Sequence, residues 1–188
     1  MNRHVQLLAA LLLIHAHAWG GETHHARSPE NGIESWELRE NGVFFSLTQM
    51  LPDQARAFFT ARGFDQAAAE AYAQACVFQT VLRNESAATI ATHPADWRAH
   101  AGKERLAPKL DKDWLPEWKK RGLPESARIA FRWAQFPAGQ TFEPGDWNQG
   151  MTAFALPRRA GFDLVVQWRE NGQIRKNILK GVKCAEDR

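Results

Sequence analysis

Two stretches of this chain alternate apolar and polar residues with a period of two, and the same dipeptide interrupts each. Trp36-Glu37-Leu38-Arg39-Glu40 leads into Asn41-Gly42, and Val43 to Leu47 continues as an apolar, β-prone run. Near the other end, Phe162 to Trp168 and Gln173 to Leu179 flank Asn171-Gly172. Asn-Gly between strand-like runs predicts a tight hairpin, because both turn residues must take positive φ. The shared letters Arg-Glu-Asn-Gly have no matching flanks, so they mark one turn solution used twice and not a repeat.

Over residues 52–83 the apolar spacing changes to three and four. Pro52-Asp53-Gln54 suits a first helical turn, Phe58 and Phe59 are its buried-face residues, and Gly63 stops it. Asp65 caps a second helix, expected to run through Ala69, Tyr72, Cys76 and Thr80. Residues 84–125 read as an irregular wrap-around connection, cut by Pro94, Gly102, Pro108, Pro116 and Pro124. It holds Trp97, Trp114 and Trp118, which are costly to expose and are expected to dock on the core. Over 126–184 strands return: Ile129 to Phe136, Thr141-Phe142, Met151 to Leu156, Phe162 to Trp168 and Gln173 to Val182. The expected fold is α+β, an antiparallel β-sandwich or partly open barrel with an inserted helical pair. It forms a single domain over 33–188, with the 33–50 hairpin joining the later sheet.

The first residues follow a different pattern. Arg3 and His4 precede an apolar run from Val5 to Ile14, and Ala16-His17-Ala18 places small residues where signal peptidase reads. This predicts a signal peptide over 1–18 and a mature chain starting near Trp19. The apolar run falls short of the roughly 20 residues a membrane helix needs, and no later run is long enough. Residues 19–32, rich in Gly, His, Ser and Pro, read as a flexible lead. The expected location is therefore the periplasm or the medium. Cys76 and Cys184 are the only two cysteines, and an even count in an exported chain predicts a disulfide, here expected to staple the second helix to the last strand.

Composition narrows the function without naming it. Hydrophobic content of 44% with eight tryptophans excludes a disordered chain, and a net charge of +3 gives no reason to expect nucleic acid. The sequence contains no GxSxG, HExxH, P-loop or dinucleotide fingerprint. Histidine–carboxylate pairs built from His93 or His100 with Asp96, Asp111 or Asp113 have no spacing that selects one. The basic tryptophan stretch from Trp97 to Arg121 has the residue types of a lipid- or glycan-binding surface, although its prolines interrupt any long amphipathic face. Adjacent His24 and His25 with Met151 offer imidazole and thioether ligands of the kind copper accepts.

The most distinctive segment is Phe142-Glu143-Pro144-Gly145-Asp146-Trp147-Asn148-Gln149-Gly150-Met151, which sets two carboxylates, an indole, two amides and a thioether on a glycine-bounded loop between strands. In a ligand site there, which also includes Glu143, Asp146 accepts hydrogen bonds, Trp147 stacks or excludes water and Asn148 fixes orientation. Ordinary turn chemistry is the competing reading. Taken together, the sequence points to an exported, non-catalytic binding or accessory protein that recognises a protein partner or small ligand. A copper carrier or metalloprotein maturation factor is one alternative. A small hydrolase using Glu143 and Asp146 as an acid/base pair is the other.

Overall fold

A computed structural model describes residues 21–187. The expected signal peptide and the start near Trp19 lie outside these described residues.

Two antiparallel sheets face each other, and four helices cover part of the outer side of the first. The first sheet runs in the order β1 (Glu22–Arg27), β2 (Glu34–Glu40), β3 (Val43–Gln49), β4 (Cys76–Asn84), β9 (Trp147–Phe154). In the second, β10 (Gly161–Glu170) is central and pairs along its length with β11 (Gln173–Lys183). Its other edge carries β6 (Arg98–Ala101) and β5 (Ile90–Thr92), which in turn pair with β7 (Glu104–Leu106) and β8 (Gln140–Phe142). Trp36, Phe45, Phe78, Trp97, Phe154 and Trp168 fill the space between the sheets. This is the expected sandwich-like α+β fold.

Both Asn-Gly sites are two-residue hairpin turns with positive φ throughout, at 48° and 76° for Asn41-Gly42 and 50° and 77° for Asn171-Gly172. The positive φ of these turns matches the right-handed twist of the strands they join. The disulfide also forms, with the two Cα atoms 5.1 Å apart. It joins the first residue of β4 to the residue after β11, so it fastens sheet to sheet and not helix to sheet.

That difference arises because the second helix is shorter than its spacing suggests. α1 spans Pro52–Thr60, and α2 spans Gln66–Ala73 with Asp65 Oδ1 accepting from the Ala68 N–H at 2.7 Å. Beyond it, Cys76, Phe78, Thr80 and Leu82 lie on one face of a strand. A spacing of four satisfies a helix and a strand alike, and a strand covered on both faces reads as continuously apolar. Val77 duly packs on the helical side while Phe78 packs between the sheets.

Three further expectations change. The lead over 19–32 contains strand β1, whose pairing runs from Glu22↔Arg39 to Arg27↔Glu34. His25 anchors it by stacking on Trp36 at 5.0 Å and bonding Glu34 at 2.8 Å. The 84–125 connection is largely ordered: it supplies β5, β6, β7, a 3-10 turn at Pro94–Asp96 and helix α3 (Asp111–Lys120). Its short strands escape a periodicity reading because two of them have only three residues.

The third change bears on function. Ile129 to Phe136, expected as a strand, lies mostly within helix α4 (Glu125–Ala134). Its buried residues are Ala127 and Phe131, four apart, with Leu123 buried one turn earlier. Ile129 lies about 200° round the helix from Ala127, on the opposite face. The apparent alternation Ile129-Phe131-Trp133 therefore mixes one core residue with two that face solvent. Phe131 sits within 5.3 to 6.4 Å of the rings of Phe59, Phe64, Tyr72, Trp114 and Trp118, forming the centre of the helical core.

Candidate functional site on the α3–α4 face

The distinctive segment, expected as a loop, is a turn over Glu143–Asp146 that enters strand β9 at Trp147, and the turn is tied down by its own polar groups. Asp146 Oδ2 accepts from the Glu143 N–H at 2.9 Å, and Glu143 Oε2 accepts from Thr89 Oγ1 at 2.6 Å. Gly145 N donates to the carbonyl of buried Asn84, and Asn84 N donates to that of Asp146. Both carboxylates thus hold the turn between β8 and β9. Trp147 is 54% exposed, so it is not a core plug. Asn148 is half-buried, and its amide donates to Gln140 Oε1 at 2.7 Å.

The candidate copper ligands are far apart. His24 and His25 lie on β1 and Met151 on β9, at opposite edges of the first sheet. Four strand spacings separate these edges, about 19 Å. Met151 is also buried under the helices, whereas both histidines are exposed. Among the described residues no three His, Cys, Asp or Glu side chains are grouped to hold a metal ion.

The candidate acid/base pairs have other partners. Asp113 caps α3 by accepting from the Leu110 N–H, and Asp111 faces Arg132 at 3.9 Å. His93 and Asp96 do share a hollow of about 260 Å³ beside β5 and β10. There the Nδ1 of His93 accepts from the Ala95 N–H at 3.1 Å, as a turn cap. His100 sits in β6 opposite Asp163 of β10. The tryptophans of the basic stretch are out of reach of a lipid or glycan, since Trp97, Trp114 and Trp118 are all buried.

The surface that stands out is one the alternation reading concealed. α3 and α4 lie side by side and leave between them a groove of about 590 Å³. Leu115, Pro116 and Ile129 supply its apolar surface, and Lys112, Lys119, Arg128 and Arg132 its charge. Glu125 is the only acid in the lining. Lys112, Lys119 and Arg128 make no ion pair among the described residues, and the buried Nε of Arg128 meets no protein acceptor. One turn past Ile129, Trp133 is 83% exposed, the most exposed of the large apolar side chains among the described residues.

A second hollow of about 340 Å³ adjoins the groove through Arg132, which lines both. Trp133, Phe136, Asn148 and Gln149 contribute to it. It forms because residues 135–136 pair directly against β9: Phe136 N donates to the Met151 carbonyl at 2.9 Å. Gly150 permits this approach, since a Cβ there would stand 2.4 Å from Phe136 N. Trp147 shares the Gln149 face of β9 by strand alternation. Of the residues singled out in the sequence, Asn148 lies at this surface and Trp147 beside it. Lys112 and Lys119 belong to the basic stretch singled out over Trp97–Arg121, whereas Ile129, Trp133, Arg128 and Arg132 on α4 escape the sequence reading. The signal available was a pair of i, i+4 couples, Arg128–Arg132 and Ile129–Trp133, on one short segment.

No protein-family model, curated protein or solved structure matches this chain.

Proposed function

We propose that this protein is a non-catalytic binding or accessory protein of the periplasm or cell envelope, and that it meets a partner through the α3–α4 face. The observation that carries this reading is Trp133, an indole left 83% exposed on an ordered helix beside exposed Ile129. Burying side chains of this size is worth roughly 1.5 to 3 kcal/mol each, which this fold forgoes and a partner recovers. Tryptophan and arginine are also the residue types that most often dominate binding energy at interfaces. An exported location is supported by the N-terminal pattern and by the Cys76–Cys184 bond, which persists in oxidising compartments.

The reading is tested by replacing the native chain in its host with an Ile129→Ser/Trp133→Ser variant. Abundance and thermal midpoint should hold while the function of the protein is lost. A Lys176→Ser change on β11 serves as the control. Full function in the double variant would overturn the assignment of the site.

A further inference from the structure

The proposed partner surface also carries information about partner chemistry. Building on that reading of the α3–α4 face, we infer that its groove takes an acidic amphipathic helical segment of another protein. The apolar residues of that segment would lie on Leu115, Pro116 and Ile129, and its carboxylates would face Lys112, Lys119, Arg128 and Arg132.

Three features select this occupant. The first is charge: four cations against Glu125 line the groove, and among the described residues only Arg132 of the four makes an ion pair, with Asp111 at 3.9 Å. The second is direction. A guanidinium is a planar fork of donors suited to carboxylates, and Arg128 lines the groove with one that makes no ion pair among the described residues. The third is shape. The walls are two helices of ten residues each, about 15 Å long, which matches the length and concavity needed by a short helix laid along them. A helix presenting apolar residues at i, i+3 and i+4 can contact both walls of the groove at once.

The test uses the full mature chain and a synthetic helical peptide of about 15 residues, long enough for partial helicity alone. It carries Leu on one face and Glu on the other. A basic twin replaces every Glu with Lys, and vesicles of phosphatidylcholine with phosphatidylglycerol represent an anionic membrane. The acidic peptide should bind and its twin should not. Trp133→Ser should weaken binding about tenfold, the loss of one aromatic anchor. Lys112→Glu/Lys119→Glu, at two exposed positions that leave the core untouched, should weaken it at least as much, and raising the salt should do so for the native chain. Arg128→Gln provides a second variant within the groove lining.

Equal binding of both peptides would overturn the inference. So would vesicle binding without peptide binding, or self-association of the chain abolished by Trp133→Ser. Each of these, if Trp133→Ser removes it, still leaves the α3–α4 face as a binding surface. Binding of the acidic peptide that survives both Trp133→Ser and the double charge reversal would overturn the face itself.

Discussion

Replacing Cys76 and Cys184 together with alanine should cost this protein a large share of its stability while leaving its native contacts in place. The bond spans a sequence separation of 108 residues. In the chain-entropy treatment, a loop near 100 residues is worth about 4.7 kcal/mol. Against a usual domain stability of roughly 5 to 15 kcal/mol, that is a third or more of the total. Both cysteines are 3% exposed, so alanine avoids burying a hydroxyl in their place.

Other contacts hold the same chain end without the bond. Gln49 Nε2 donates to the Lys183 carbonyl at 2.9 Å, Cys184 N donates to that of Ala160, and Arg56 and Arg158 both reach Asp187. The loss should therefore fall mainly on the unfolded ensemble, which becomes freer to expand. With a urea dependence of about 2 kcal/mol per molar, the midpoint should drop by roughly 2 M and the slope should rise. Urea titrations of both proteins measure this directly. A loss below about 1 kcal/mol would refute the entropic account. Hydrogen-exchange protection lost only around residues 182–187 would show instead that the bond acts by pinning a frayed end.

Three further outcomes are expected. Gly42→Val should destabilise more than Gly172→Val although both sites have φ near +77°, because a Cβ at Gly42 would stand 2.7 Å from the Ser86 backbone while Gly172 faces open space; denaturant midpoints compare them. Phe131→Ala should cost about 3 to 5 kcal/mol, and Trp133→Ala, two residues on, within about 0.5 kcal/mol of nothing, read from thermal melts. Tyr72 is the only tyrosine, and burial pushes its hydroxyl well above the ordinary value of 10.0 despite the bond it donates to Gln135. Its raised folded value means that stability is intact below pH 10 and is lost as the pH climbs above it. Tyrosinate absorbance should then stay silent at about pH 11 until the protein unfolds, and a smooth titration in the folded state would contradict the burial argument.

The hairpins, the sheet-rich C-terminal half, the α1–α2 pair and the disulfide were legible because each rests on local chemistry. Asn-Gly takes positive φ, Asp65 caps, and two cysteines pair. Legibility ended where one spacing fits two structures. Cys76 and Thr80 are four apart, which keeps them on one side of either a helix or a strand, and only the cover on both faces of β4 decides between them. The α4 segment was misread for a different reason. Ile129 and Trp133 break the rule that apolar residues face the core, so a reading built on that rule turned a helix into a strand. The failure falls on the residues that the structure leaves exposed, where the rule that apolar residues face the core does not hold. The Glu143–Asp146 loop drew attention for its polar density, but that density is what a bonded turn between strands requires.

The most direct test of the partner surface is to place a photo-crosslinking residue at position 125, on the rim of the groove and outside its apolar and basic anchors, in the native host and irradiate the cells. A second copy carries it at Lys176, on β11 away from the helices. The expected result is one discrete adduct from position 125, absent from position 176 and lost when Lys112→Glu/Lys119→Glu is added. The same adduct from both positions, or none from position 125 in cells where the protein is functional, would contradict the claim that the α3–α4 face is where this protein meets its partner.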